Sequence, residues 1–167
     1  MKPENAGFDI YGNVKLFDFG LAKELQLKHR IGEDLYRASG RTGTRRYMSP
    51  ENALCKPYGK SSDVYSFGIL LWECLALKQP FESMGIEKHA KDVVMGGKRP
   101  QIPKSWPIFV NLLISESWSA NRLDRPDFDE ICSALKGELT EREMNLSNRT
   151  NDLMNISITN RELHRQG

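Results

Sequence analysis

Little in the chain marks it for export, for a membrane or for a metal. Its three cysteines, Cys55, Cys74 and Cys132, are odd in number and far apart. Neither a disulfide framework nor a zinc-type spacing can be built from them, so they read as the reduced thiols of a cytosolic protein. The three histidines, His29, His89 and His164, are equally scattered, which argues against a histidine metal motif and leaves each as a solvated or structural residue. The opening MKPENAGFD has no apolar run and so is not a secretory signal. The most apolar stretch, Phe67 to Leu77, carries Glu73 and is far shorter than the ~20 residues that span a bilayer. Charge of either sign is not in excess. A formal net charge of +2 implies neither a nucleic-acid partner nor membrane insertion. No internal repeat is present, and three Asn-x-Ser/Thr triplets at Asn145, Asn148 and Asn155 read as chance in an Asn-rich tail.

What is present is an ordinary globular composition. The 167 residues are 39% hydrophobic and 28% charged, enough for one domain with a core. Phe8–Ile10 and Val14–Phe17, separated by Tyr11-Gly12-Asn13, predict a small hairpin. From Ala22 to Tyr47 the sequence is polar and basic without sustained periodicity, which predicts a long loop. Ser61, Ser62 and Asp63 offer N-caps for a helix from Val64 to about Leu77. That helix is apolar on nearly every face, so it is expected at the centre, covered all round. Further helices are expected at about Glu82–Met95, Trp106–Ser117 and Phe128–Leu135. After Gly137 the composition turns polar. Leu139, Leu146 and Leu153 are heptad-spaced, but Asn160 breaks the series, and a frayed helical or disordered tail over 137–167 is the expectation.

Five segments carry chemistry: Met1-Lys2-Pro3-Glu4-Asn5; Asp18-Phe19-Gly20; GTRRYMSPE from Gly43 to Glu51; DVYSFGILLWE from Asp63 to Glu73; and NRLDRPDF from Asn121 to Phe128. Asp-Phe-Gly alone is a weak signal. In this order and spacing, however, the set resembles the C-terminal lobe of eukaryotic protein kinases over Met1 to about Leu135. Lys2 and Thr44 resemble the serine/threonine form, and DVYSFGILLWE with the Arg-Pro-x-Phe ending resembles its tyrosine-kinase-like branch. The implied fold is mainly α: a small hairpin, a long activation segment and a helical bundle around a buried central helix, with the kinase lobe over 1–136.

The resemblance implies protein serine/threonine kinase activity, with ATP and Mg²⁺ as cofactors and protein hydroxyls as substrates. Asn5 and Asp18 match the two magnesium-binding positions, as hard oxygen ligands should. Lys2 matches the residue that neutralises the transferred phosphate, and Thr44 lies where the family lines its substrate site. Phe19 resembles a packing switch, and Gly20 is expected to let the backbone turn. Glu51 would pair with Arg125, and Asp63 would hold the catalytic-loop backbone unless it merely caps its helix. Ser39 and Thr42, beside Arg37, Arg41, Arg45 and Arg46, are candidate phosphosites, against the plainer reading of a solvated basic loop.

The family pattern also calls for a Gly-rich loop, a strand lysine and a catalytic Asp that would fall immediately before Met1. The chain is therefore expected to be a partial reading of a longer kinase, inactive and marginally stable by itself. The alternative is a non-catalytic module that binds another kinase chain or a substrate protein.

Overall fold

The computed structural model describes residues 1–37, 40 and 42–163, with residues 148–163 described by their backbone alone. By compact units the chain divides into Met1–Phe128 and Asp129–Gly167.

The first unit opens with a single 3-10 turn, Pro3–Asn5, and an antiparallel hairpin, β1 (Ala6–Phe8) and β2 (Val14–Leu16). Ile10 belongs to the turn rather than to a strand. The reason is Asp9, whose Oδ1 accepts the N–H groups of Tyr11 and Asn13, both at 2.9 Å, and draws the chain into the turn. Those donors, the Asn13 amide foremost, hold the Asp9 carboxyl below the usual carboxylate range.

The segment from Ala22 to Tyr47 is less featureless than its composition predicts. It contains a second antiparallel pair, β3 (Arg30–Gly32) and β4 (Leu35–Tyr36). The pair is anchored from a distance: Tyr36 and Tyr58 exchange backbone hydrogen bonds at 3.1 and 3.2 Å. A partner supplied from outside the segment leaves no local periodicity to read.

After the one-turn helix α1 (Pro50–Ala53) comes α2 (Ser61–Ala76). Its predicted caps, Ser61 to Asp63, are inside the helix and cap nothing. Lys60 holds the N-cap position without a side-chain bond. The cap comes instead from Asp34, whose two carboxylate oxygens accept the N–H groups of Lys60 (3.1 Å) and Ser61 (3.2 Å). Gly59 leaves room for this, because a Cβ there would lie 2.1 Å from the Asp34 carbonyl oxygen. Leu77, at φ 52°, closes the helix in the left-handed region.

Helix α2 packs chiefly against α4 (Ile108–Ser117). Gly68 permits the approach: an added Cβ would meet that of Ser117 at 2.8 Å. The core joins Tyr47, Tyr65, Ile69, Trp72, Phe81, Val93, Ile114 and Trp118. Each such side chain contributes roughly 1.5–3 kcal/mol on burial. Trp72 Nε1 donates to the Gln101 carbonyl at 3.0 Å, so the indole is buried without an orphaned donor. The expectation of cover on every face fails at the C-terminal end of α2, where Leu75 and Leu77 are exposed.

Helix α3 begins as α-helix at Ile86–His89 and widens to π-helix over Ala90–Met95. In the second unit, α5 (Phe128–Leu163) runs without a break through Gly137, far beyond the predicted end near Leu135. Glu138 and Arg142 pair along it at 2.7 Å, one of the i,i+4 contacts that sustain an exposed helix. Among the described residues no helix is long and apolar enough to cross a membrane.

Candidate functional site

The first hairpin sets the relative placement of Asn5 and Asp18 along the chain. Ala6 pairs with Leu16, and the ladder extends one step further, with Phe17 N–H donating to the Asn5 carbonyl at 2.9 Å. Asn5 therefore stands at the open end of the hairpin, opposite the residue that precedes Asp18. Asp18 turns the chain there at φ 57°, a left-handed conformation that costs a non-glycine residue roughly 1–2 kcal/mol. The turn that the sequence assigns to Gly20 thus falls on Asp18, since Gly20 has no positive φ. Gly20 contributes its N–H, which donates to Asp18 Oδ1 at 3.3 Å, and the space its missing Cβ leaves beside that oxygen. Asp18 is exposed, and Phe19 is 68% exposed, with its ring on the surface rather than in a packed slot.

The Met1–Asn5 segment lies beside α2. The Met1 amino group is pushed down by burial, against the pull of the Asp63 carboxylate. Burial also pushes the Tyr47 phenol up, helped by Glu73 and then by the Glu4 charge. Its hydroxyl donates to Glu73 Oε2 at 2.6 Å. Lys2, Glu4, Tyr47 and Asp63 therefore share one neighbourhood, with Asp63 in the first turn of α2 and exposed.

Behind this lies a buried polar network. Arg125 Nη1 and Nη2 donate to the two carboxylate oxygens of Glu51 at 2.7 and 3.0 Å. The guanidinium is fully buried, and its other donors reach the carbonyls of Ser61 and Ser119, both at 2.9 Å. The Ser49 hydroxyl donates to Ser62 (3.1 Å), which donates to Glu51 (2.9 Å). Burial alone would push the Glu51 carboxyl up. The bonds and charge of Arg125, with Ser62 and the Glu51 N–H, outweigh it and hold it below its ordinary value. Arg125 and Arg99 both lie over the Tyr65 ring, at 5.2 and 4.9 Å from its centroid.

Thr44 is exposed at the start of a 3-10 turn, Arg45–Tyr47, and lines a groove of about 640 Å³ with Met48, Leu54, Phe81, Met84 and His89. Thr42 is half-buried, its hydroxyl 3.5 Å from the Gly40 carbonyl oxygen. Ser39 and Arg41 lie outside the described residues.

The structure sets Asn5 opposite Phe17, the residue before Asp18, pairs Glu51 with Arg125, and places Asp63 within electrostatic reach of the Met1 amino group. Thr44 belongs to the groove. Sequence reasoning missed Asp34, Ser62, Tyr65 and the groove position of His89. An Asp three residues before a helix start would have been noticed, but Asp34 lies 26 residues from the N–H it caps.

For a metal, the donor set fits Mg²⁺. Asp18 Oδ2 and the Asn5 amide oxygen have no protein partner among the described residues, and both are hard oxygens. Two such ligands suffice for an ion that keeps water and phosphate oxygens as its remaining partners. No cluster of three or more His, Cys, Asp or Glu is present among the described residues.

Residues 8–135 match the family described as protein tyrosine and serine/threonine kinase. The chain is 40% identical over 136 residues to the dual specificity protein kinase shkC of Dictyostelium discoideum, covering 81% of this chain and 26% of that relative. It is 38% identical over 136 residues to the serine/threonine-protein kinase STY46 of Arabidopsis thaliana, covering 81% and 22%. With the serine/threonine/tyrosine-protein kinase HT1 of Arabidopsis thaliana it shares 39% over 137 residues, covering 81% and 33%. The chain thus spans a third or less of the length of these relatives.

Proposed function

The chain belongs to the protein tyrosine and serine/threonine kinase family, and from that premise we propose that it forms the helical, substrate-side lobe of a protein serine/threonine kinase of the tyrosine-kinase-like branch. Residues 1–136 make up the lobe, and the polar, Asn-rich tail 137–167 follows it, its backbone helical as far as Leu163. The reaction is transfer of the ATP γ-phosphate to a protein Ser or Thr hydroxyl, in the cytoplasm, once polypeptide that covers the nucleotide is in place.

The observation that carries this reading is the hairpin register, which sets Asn5 against the residue preceding Asp18, with Asp18 Oδ2 and the Asn5 amide oxygen lacking a protein partner among the described residues. Asn5 and Asp18 would hold Mg²⁺, which when bound bridges the phosphates and neutralises their charge. Lys2 supplies a further positive charge at the same end of the lobe. Asp63 orients the Met1–Asn5 backbone from the first turn of α2, and Thr44 lines the approach of the hydroxyl-bearing peptide. Phosphorylation of Ser39 or Thr42 would bring a dianion to a stretch that contains Arg37, Arg45 and Arg46.

The test is phosphate transfer from labelled ATP to a general protein substrate, using the longest native translation product that contains this chain. Asp18→Ala or Asn5→Ala should lower kcat about a hundredfold or more, and phosphoserine and phosphothreonine should be the products. Unaltered turnover in both variants, or phosphotyrosine alone, would overturn the proposal.

One observation favours a second reading. Phe8, Ile10, Tyr11, Val14 and Phe19 are all exposed on or beside the first hairpin, an apolar face that suits a docking surface. A non-catalytic module would use it to bind another kinase chain or a substrate protein. It would show no Mg²⁺-dependent nucleotide binding in any native translation product.

A further inference from the structure

The longest helix of the chain takes no part in phosphoryl transfer. Helix α5 runs through 36 residues, and at ~1.5 Å per residue it is roughly 54 Å long. Ile131 in its first turn is buried, at 2% exposed. From Leu139 to Ser147, by contrast, every residue is exposed, with Leu139 at 60% and Leu146 at 68%. The sequence beyond is a poor helix former, because Asn, Ser and Thr predominate from Asn145 to Asn160. Such residues favour caps and turns over helix interiors, and a helix without a packed face is marginal in water. An unbroken helical backbone through this stretch calls for a surface to lie on.

The heptad pattern says which surface. With Leu139 at position a, Leu146, Leu153 and Asn160 are also at a, and Arg142, Arg149, Ile156 and Leu163 are at d. These positions make one stripe along the helix, over about three and a half heptads. Asn160 interrupts the leucines without leaving the stripe. A single Asn at a is the kind of residue that fixes register and strand number in a coiled coil, where it meets its own copy.

The charges also fit a second copy. In a parallel pair, a d side chain packs beside position e of the facing helix, so Arg142 meets the partner's Glu143. Twofold symmetry makes the contact twice. Arg142 pairs with Glu138 of its own helix at 2.7 Å and its side chain is still 57% exposed, open to a second carboxylate. Arginines at two d positions weaken the seam, which suits a reversible rather than a permanent pair.

We propose that α5 pairs with α5 of a second copy of this chain as a parallel, two-stranded coiled coil, with Leu139, Arg142, Leu146, Leu153, Ile156 and Asn160 along the seam. The association uses neither nucleotide nor the Asn5–Asp18 end of the first hairpin, and it holds whether or not the lobe transfers phosphate.

The experiment is sedimentation velocity on the full chain from about 1 µM to about 1 mM, with far-UV circular dichroism at each concentration. A monomer–dimer equilibrium with Kd of about 10–100 µM is expected, and helicity should rise as the dimer forms. Leu146→Glu should weaken pairing at least tenfold and hold helicity at its monomer level. Met144→Glu should leave both unchanged, because Met144, although 55% exposed, is at position f on the far side of the helix. Arg142→Leu should tighten pairing at least tenfold. Asn160→Cys, combined with Cys55→Ser, Cys74→Ser and Cys132→Ser, should give a disulfide-linked dimer on mild oxidation, since a positions of parallel strands face each other. Tryptophan emission establishes that the lobe of each variant is folded. A monomer at about 1 mM, a trimer or larger assembly, pairing that survives Leu146→Glu or is equally weakened by Met144→Glu, or no cross-link through Asn160→Cys would overturn the proposal. Association through the exposed apolar face of the first hairpin would survive Leu146→Glu and so is among these outcomes.

Discussion

Replacing Arg125 by Met tests the buried network at its most constrained point. The substitution preserves much of the side-chain length and removes the guanidinium. Glu51 then loses both charge-assisted bonds, at 2.7 and 3.0 Å, and keeps the Ser62 hydroxyl and its own N–H. The carbonyls of Ser61 and Ser119 lose a donor each. Breaking a buried pair from one side costs about 3–5 kcal/mol, against a typical domain stability of about 5–15 kcal/mol. At roughly 2–4 °C per kcal/mol for a chain of this size, Tm should drop by about 6–20 °C. Urea unfolding followed by the emission of Trp72, Trp106 and Trp118 measures the free energy directly. The double variant Glu51→Met with Arg125→Met should recover a large part of the loss, because the stranded charge is gone. The pH dependence of the single variant gives an independent check. Without Arg125, burial should outweigh the smaller opposing contributions of the Glu51 N–H and the Ser62 hydroxyl and raise the folded pKa of Glu51 above the unfolded value. Such a group contributes stability below the unfolded value and loses it as pH rises, so the deficit of Arg125→Met should shrink between pH ~7 and ~5. A loss under about 1 kcal/mol, near the ceiling for an exposed pair, or a double variant no better than the single one, would refute the argument.

The intact protein should behave in the opposite way. Its Glu51 pKa is lowered, so the associated stability is present above the unfolded value near ~4.3 and is lost as pH falls through the folded one. Glu51→Gln should be less stable at neutral pH and lose less on acidification, as read from urea midpoints across the acid range. The remote helix cap gives a second prediction. Asp34→Ala should cost about 1–2 kcal/mol, and Gly59→Ala at least as much, because its Cβ would meet the Asp34 carbonyl oxygen at 2.1 Å. Equal midpoints for either variant and the parent would count against the cap.

The helices were legible because their signals are local. Val64 to Leu77 reads as a helix from its apolar content, and the structure ends it at Ala76 with Leu77 as a left-handed cap. Its start was misread. Ser61, Ser62 and Asp63 are good capping residue types, but the carboxylate that takes the first free N–H groups comes from Asp34. The β3–β4 pair escaped notice for a similar reason: Tyr58, outside the segment, supplies part of its hydrogen bonding. The polar composition past Gly137 left a frayed helical or a disordered tail open, and the backbone continues as helix to Leu163.

For the site, the sequence by itself determined the family, because five motifs in fixed order are a one-dimensional pattern that needs no coordinates. It also determined the residue types offered for phosphate and metal chemistry. Only the tertiary structure decided the rest. It put the left-handed turn on Asp18 instead of Gly20, because the hairpin ladder runs up to Phe17 and the chain must turn directly after it. It surrounded Arg125 with Glu51, Ser61, Ser119 and Tyr65, partners drawn from 6 to 74 residues away. It buried His89 in the wall of a groove, edge-on to Phe81 and with no hydrogen-bond partner among the described residues. A motif is set by neighbours along the chain, whereas the partners of a polar group are set by which surfaces the core brings together.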